Sequence, residues 1–96
     1  MIKYLIPFLL IFSVATAYSQ NVKGIITDVE GNPLPFASVF IKNTGKGTNA
    51  NSEGAYSLKL SPGKYTLACQ YVGYKKEEIS ISIDNDDKEV NFILKV

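Results

Sequence analysis

The chain has 96 residues, enough for one domain at most. Histidine, arginine and tryptophan are absent and Cys69 is the single cysteine. This excludes a histidine metal site, imidazole-based nucleophile systems and an internal disulfide. Ten basic residues stand against nine acidic ones, a balance that gives no general attraction to nucleic acid or anionic membrane.

The chain opens like a secretory signal peptide. Lys3 supplies a positive start, Tyr4 to Val14 is an apolar run broken only by Pro7 and Ser13, and Ala15, Thr16 and Ala17 follow. The run is too short to span a hydrocarbon core, so a transmembrane helix is not expected. Two cuts fit the small-residue rule, before Tyr18 or before Gln20. The second is preferred because it leaves the first strand a short lead-in. The expected division is therefore a cleaved signal peptide over 1–19 and one domain over 20–96. Cleavage removes Lys3 and leaves that domain with no net charge.

From Val22 onward the apolar residues alternate with period two, the signature of half-buried strands. A first strand over Val22 to Thr27 places Val22, Gly24 and Ile26 on one face. A turn follows, with Gly31 free for positive φ and Pro33 ending hydrogen-bond donation. The second strand, Phe36 to Lys42, sets Ala37, Val39 and Ile41 on one face and Phe36 and Phe40 on a partly covered second face. Asn43 to Ser52 is polar and glycine-containing, the longest loop, with room for a short strand around Gly47 to Ala50.

Tyr56, Leu58 and Leu60 point inward from a strand over Ala55 to Leu60. Gly54 precedes it and the Ser61-Pro62-Gly63 turn joins it, as a hairpin, to a strand over Lys64 to Val72. Gly73 ends that strand. Ile79, Ile81 and Ile83 alternate with Ser80 and Ser82 in the clearest strand of the chain. A charged turn, Asp84 to Lys88, leads to a last strand, Glu89 to Val96, with Val90, Phe92, Leu94 and Val96 on one face. The sum is all-β: an antiparallel β-sandwich of about seven strands. A domain this small buries only about 60–65% of its unfolded surface, so its stability needs an efficient sheet-on-sheet core or a neighbouring domain or subunit. Cys69 alternates with Leu67 and Tyr71 and reads as a small buried hydrophobe.

Little in the residue set suggests catalysis. Glu77 and Glu78 are neighbours on a strand and point to opposite faces, so they do not form a carboxylate pair. Asp84 to Asp87 lacks the glycine and the terminal glutamate of an EF-hand loop. No metal and no cofactor is expected, and a hydrolase is the least favoured class.

A series of landmarks in order resembles the carboxypeptidase-regulatory-like domain, a transthyretin-like (prealbumin-like) β-sandwich. Gly24, Ile26 and Asp28 match its opening strand. Gly31, Pro33, Leu34 and Pro35 match its first turn. Gly45, Gly47 and Thr48 match its loop. Gly54-x-Tyr56-x-Leu58, Pro62-Gly63-x-Tyr65-x-Leu67 and Tyr71-Val72-Gly73-Tyr74 complete it. The resemblance covers Val22 to Tyr74, and no single piece of it is specific. The family often has an aspartate where this chain has Asn51. An asparagine makes the same turn bond, but any cation preference there would be weakened.

The resemblance implies an accessory, non-catalytic interaction module. Such modules follow the catalytic domain of some metallocarboxypeptidases. They also stand behind the signal peptide of TonB-dependent receptors that import glycans, the arrangement resembled here, although the TonB box, plug and barrel do not follow. The chain is expected to be exported to the periplasm or outer membrane. Its expected partner is a cell-envelope protein, either a TonB-dependent receptor or the module's own missing C-terminal region. A small carbohydrate-binding domain that takes a glycan is the alternative. The candidate contact residues are Tyr74, Asn43, Lys46, Asn49 and Asn51. Gly31, Pro33, Gly54, Pro62, Gly63 and Gly73 are assigned to turns.

Overall fold

A computed structural model describes residues 19–96, so all of the expected signal peptide except Ser19 lies outside the described residues. The described residues contain strands and no helix: β1 (Gln20–Asp28), β2 (Ser38–Ile41), β3 (Gly47–Asn49), β4 (Ala55–Leu60), β5 (Gly63–Gln70), β6 (Glu77–Ile83), β7 (Lys88–Glu89) and β8 (Phe92–Leu94). They form two sheets. Sheet one is ordered β4-β1-β7, with β8 also paired to β1, and sheet two is ordered β3-β2-β5-β6. The all-β sandwich expected from period-two alternation is the fold.

The core lies between the sheets and is apolar throughout. Val22 and Ile26 of β1, Val39 of β2, Leu67 and Cys69 of β5, and Phe92 and Leu94 of β8 are fully buried. Tyr56, Leu58 and Leu60 reach the same cluster from β4. Alternation explains this: residues two apart share a face, and the face with the larger apolar area turns inward.

Several local expectations are corrected. The Ser61-Pro62-Gly63 turn does not close a hairpin, because β4 pairs with β1 whereas β5 pairs with β2 and β6. Pro62 offers no N–H to continue a ladder, and Gly63, at φ 153°, lets the chain leave sheet one and enter sheet two. The Tyr65 hydroxyl donates to the Ser61 carbonyl at 2.7 Å and latches this crossing. The last strand is not antiparallel. It is split into β7 and β8, which run parallel to β1 at Val22–Lys23 and at Ile26–Asp28. Between them the Asn91 side chain replaces a backbone acceptor: its Oδ1 accepts from the Ile25 N–H at 2.8 Å. Val96 lies beyond β8 and is 84% exposed, not part of the inward face.

Gly24 sits at this seam. A Cβ on it would run into the Val90 backbone carbonyl. The Tyr56 hydroxyl donates to that same carbonyl at 2.5 Å. Sheet one is therefore closed around a backbone contact that leaves no room for a side chain.

Candidate functional site

Asn51 is a structural hub. Its Oδ1 accepts from the Glu53 and Ala55 N–H groups at 2.8 and 3.0 Å. Its carbonyl accepts from the Phe36 and Gly54 N–H groups at 3.1 and 3.0 Å, and its own N–H donates to the Ala55 carbonyl at 2.9 Å. These bonds fold the β3–β4 connection into a tight side-chain turn. Gly54, at φ 77°, completes it, and a Cβ there would meet the Ile26 carbonyl at 2.7 Å. Gly31 and Gly73 also take positive φ, at 86° and 90°. Pro33 forms an isolated bridge with Thr27 beside Gly31, and Pro62 is exposed at the sheet crossing.

The five candidate contact residues are not gathered into one site. Asn43, at φ 67°, and Lys46 occupy the exposed tip between β2 and β3. That tip is ordered by bonds among its own residues: Thr44 Oγ1 donates to the Ile41 carbonyl at 3.0 Å and accepts from the Lys46 N–H at 3.0 Å. Asn43 borders an open concavity of about 710 Å³ with Lys64, Thr66, Ser80 and Ser82. Asn49 lies further along β3, where its Oδ1 accepts from Ser38 Oγ at 3.2 Å. The strand register then carries Asn49 to Ser38 and Ser38 to Gln70 across the sheet.

Gln70 leads to Tyr74. The Tyr74 N–H donates to the Tyr71 carbonyl at 3.0 Å, and the two rings stand 5.7 Å apart at 52°. Both tyrosines are half-buried against the core, so Tyr71 is not fully inward. With Pro35, Phe36, Ser38, Gln70 and Lys76 they border a second concavity of about 640 Å³. Phe36 is 65% exposed and Val72 is 95% exposed.

Phe36 is the residue that strand alternation misplaces. Its φ of 64° is the left-handed region, unusual for a bulky side chain, and this turns it out of β2 before that strand begins at Ser38. In the alternation it shares a face with Ser38, Phe40 and Lys42, and nothing there sets it apart from the half-buried Phe40. β5 ends at Gln70, short of the strand expected to run to Val72, and Val72 is left exposed.

The ionisable groups are arranged for structure. Lys42 Nζ approaches Glu78 at 3.3 Å and Lys76 Nζ approaches it at 3.6 Å. The hydrogen bond from Lys42 is the main cause that holds the Glu78 carboxyl below its ordinary range. Burial, with the Glu77 charge second, pushes the Cys69 thiol up to about 12 and keeps it protonated. Burial likewise raises the Tyr56 hydroxyl. Among the described residues, no three histidine, cysteine, aspartate or glutamate side chains converge to hold a metal ion.

The structure defines a two-sheet β-sandwich domain with an open concavity lined by Phe36, Tyr71 and Tyr74. The chain belongs to the CarboxypepD_reg-like domain family, whose pattern matches residues 22–96, well past Tyr74. TonB-dependent receptor P39 of Formosa agariphila is 36% identical over 77 residues, which cover 76% of this chain and 7% of that receptor. TonB-dependent receptor SusC of Bacteroides thetaiotaomicron is 31% identical over 87 residues, covering 88% of this chain and 8% of that receptor. Carboxypeptidase Z of Gallus gallus is 32% identical over 57 residues, 59% of this chain and 9% of that protein. The chain thus spans a small fraction of the length of these curated relatives. A chain in a type II cohesin–X-dockerin complex from Acetivibrio cellulolyticus superposes with a TM-score of 0.67 at 22% identity, over 78% of this chain and 56% of that one. That likeness shows the fold alone.

Proposed function

We propose that this chain is a non-catalytic interaction module of the bacterial cell envelope, exported by residues 1–19 and docking on a TonB-dependent receptor or on sequence that continues its own chain. The contact surface is the Phe36–Tyr74 concavity. The observation that carries this reading is Phe36, an aromatic ring 65% exposed on a backbone of φ 64°. Strained backbone persists where surrounding structure enforces it, and the Asn51 carbonyl enforces it here through the Phe36 N–H. Val72 and the Tyr71–Tyr74 pair widen the apolar centre, and Ser38, Gln70 and Lys76 give it a polar rim, the usual anatomy of a contact patch.

The similarity to several TonB-dependent receptors supports the choice of partner. The test is titration of the purified protein against a detergent-solubilised TonB-dependent receptor from the same cell. Binding at micromolar concentration, weakened about tenfold or more by Phe36→Ala, is the expected result. No binding at that level, or binding indifferent to Phe36→Ala and Tyr74→Ala, overturns it.

The tilted Tyr71–Tyr74 pair beside Gln70 and Ser38 also favours a second reading, a small glycan-binding domain. A glycan array that stays blank for the parent removes that reading. So does one on which Tyr74→Ala gives the parent's signal.

A further inference from the structure

We propose that β6 is a self-pairing edge, and that two copies of this chain join antiparallel about a two-fold axis through Ser80. This is independent of the envelope reading, since the pairing needs no receptor.

β6 pairs with β5 along all seven of its residues and, among the described residues, with no strand on its other side. An edge strand leaves alternate backbone N–H and C=O groups unpaired, and natural sheets blunt such edges with lysine, proline, bulges or shortness. β6 lacks lysine, proline and bulges and is not short, and its only charges, Glu77 and Glu78, are its first two residues. It is seven residues long, its ladder to β5 is unbroken, and from Ile79 to Ile83 it carries no charge. The β4 edge, by contrast, carries Lys59, and β3 is three residues long. Ile79 and Ile81 lie on the core face but stay half-buried, because sheet two ends there. A further strand would cover them.

The sequence of β6 also selects the strand. A two-fold pairing must place isoleucine with isoleucine and serine with serine on each face, so the axis passes through a residue. With the axis at Ser80, Ile79 faces the partner's Ile81 and Glu78 faces the partner's Ser82. Continued one residue beyond β6 at each end, the register brings Lys76, which also approaches its own Glu78 at 3.6 Å, opposite the partner's Asp84, and symmetry makes each of these pairs twice. No like charges stand opposite. Moving the axis to Ile81 sets Glu78 against the partner's Asp84. Moving it to Glu78 sets two glutamates together. Moving it to Ile79 leaves Lys76 against the partner's Ser82, with no ion pair gained. Directly opposed like charges destabilise a sheet pair and opposite charges stabilise it, so the Ser80 register is the favoured one.

The test is sedimentation of the full chain, exported and purified, over roughly 10 µM to 1 mM. The expected result is a dimer whose population rises with concentration. Ser80 is exposed, so Ser80→Lys leaves the fold intact by circular dichroism while setting two lysines together. It should weaken the dimer about tenfold or more. Asp84→Lys should weaken it similarly, and adding Lys76→Asp to that chain should restore it. Under mild oxidation Ser80→Cys should cross-link much faster than Ser82→Cys, with the parent chain as control for buried Cys69. A monomer throughout the range overturns the proposal, as does a dimer indifferent to Ser80→Lys. A charge swap that fails to restore pairing, or equal cross-linking at 80 and 82, overturns the register and with it the proposal.

Discussion

The two sheets use the same alternating pattern and end differently. In sheet one, β1 is occupied on both sides, by β4 and by β7 with β8. At its seam Gly24, the Val90 carbonyl and the Tyr56 hydroxyl are in direct contact. Sheet two ends at β6, and its exposed side carries Lys42, Gln70, Ser80 and Ser82 around open concavities. The same alternation therefore builds a tightly packed seam within sheet one and two open concavities on sheet two, while a smaller concavity of about 430 Å³ borders Gly24 and Tyr56 on sheet one. Substitutions at the seam should cost folding, and those on the surface should cost contact.

The largest break of this contrast is expected at Gly24. Gly24→Ala forces a Cβ into backbone that has no flexible side chain to move aside, and should lose about 3 kcal/mol or more in urea unfolding. A tolerated alanine would mean that the seam is not closed. Tyr56→Phe tests the same seam with a smaller effect. It removes the donor to the buried Val90 carbonyl and should lower stability by about 1–2 kcal/mol in the same assay.

Asn51 joins the scaffold to the proposed contact surface, through its carbonyl bond from the Phe36 N–H. Asn51→Ala removes two side-chain acceptor bonds and should cost about 1 kcal/mol, whereas Asn51→Asp keeps the acceptor and should stay within about 0.5 kcal/mol. Phe36→Gly should move in the opposite direction. Relief of the left-handed backbone should raise stability by about 0.5–1 kcal/mol while partner binding falls. Unfolding midpoints and receptor titration read the two effects separately, and loss of both together would break the distinction between scaffold and surface.

The smallest effect concerns pH. Asp28 accepts from the Asn32 and Glu30 N–H groups, each at 2.9 Å, and the Asn32 backbone bond leads in holding its carboxyl low. Glu78 is held low chiefly by Lys42. Both groups bind a proton less readily folded than unfolded. Their stabilisation is present above the ordinary carboxylate pKa of about 4 and fades as pH falls through the folded values. Melting temperatures between roughly pH 6 and pH 2 should fall less steeply in Asp28→Asn and Glu78→Gln than in the parent. Added salt should erase the Glu78 contribution, an exposed ion pair, and leave the Asp28 contribution, which rests on backbone donors.

Alternation located the inward residues of β1, β2 and β4 because period two assigns faces without reference to a partner strand. It failed where the partner decides. Nothing local distinguishes the Pro62–Gly63 crossing from a hairpin turn, since the same residue types serve both. The break at Val90–Asn91 depends on Gly24, more than sixty residues away, whose backbone admits that carbonyl. The candidate site was legible only in part. Tyr74 and Asn49 share a surface through Ser38 and Gln70, a link that exists only once β2 and β5 are paired. Phe36 escaped because its direction is set by one backbone angle and not by its place in the alternation.

The sequence by itself determined an all-β chain with an apolar face in every main strand, the turns between them and the family landmarks, because these depend on residue type and short spacing. Only the tertiary structure decided which strands are neighbours, that β7 and β8 run parallel to β1, and that Phe36 faces solvent. Those outcomes depend on contacts between residues distant in the chain, where backbone hydrogen bonding permits several pairings and side-chain packing selects one.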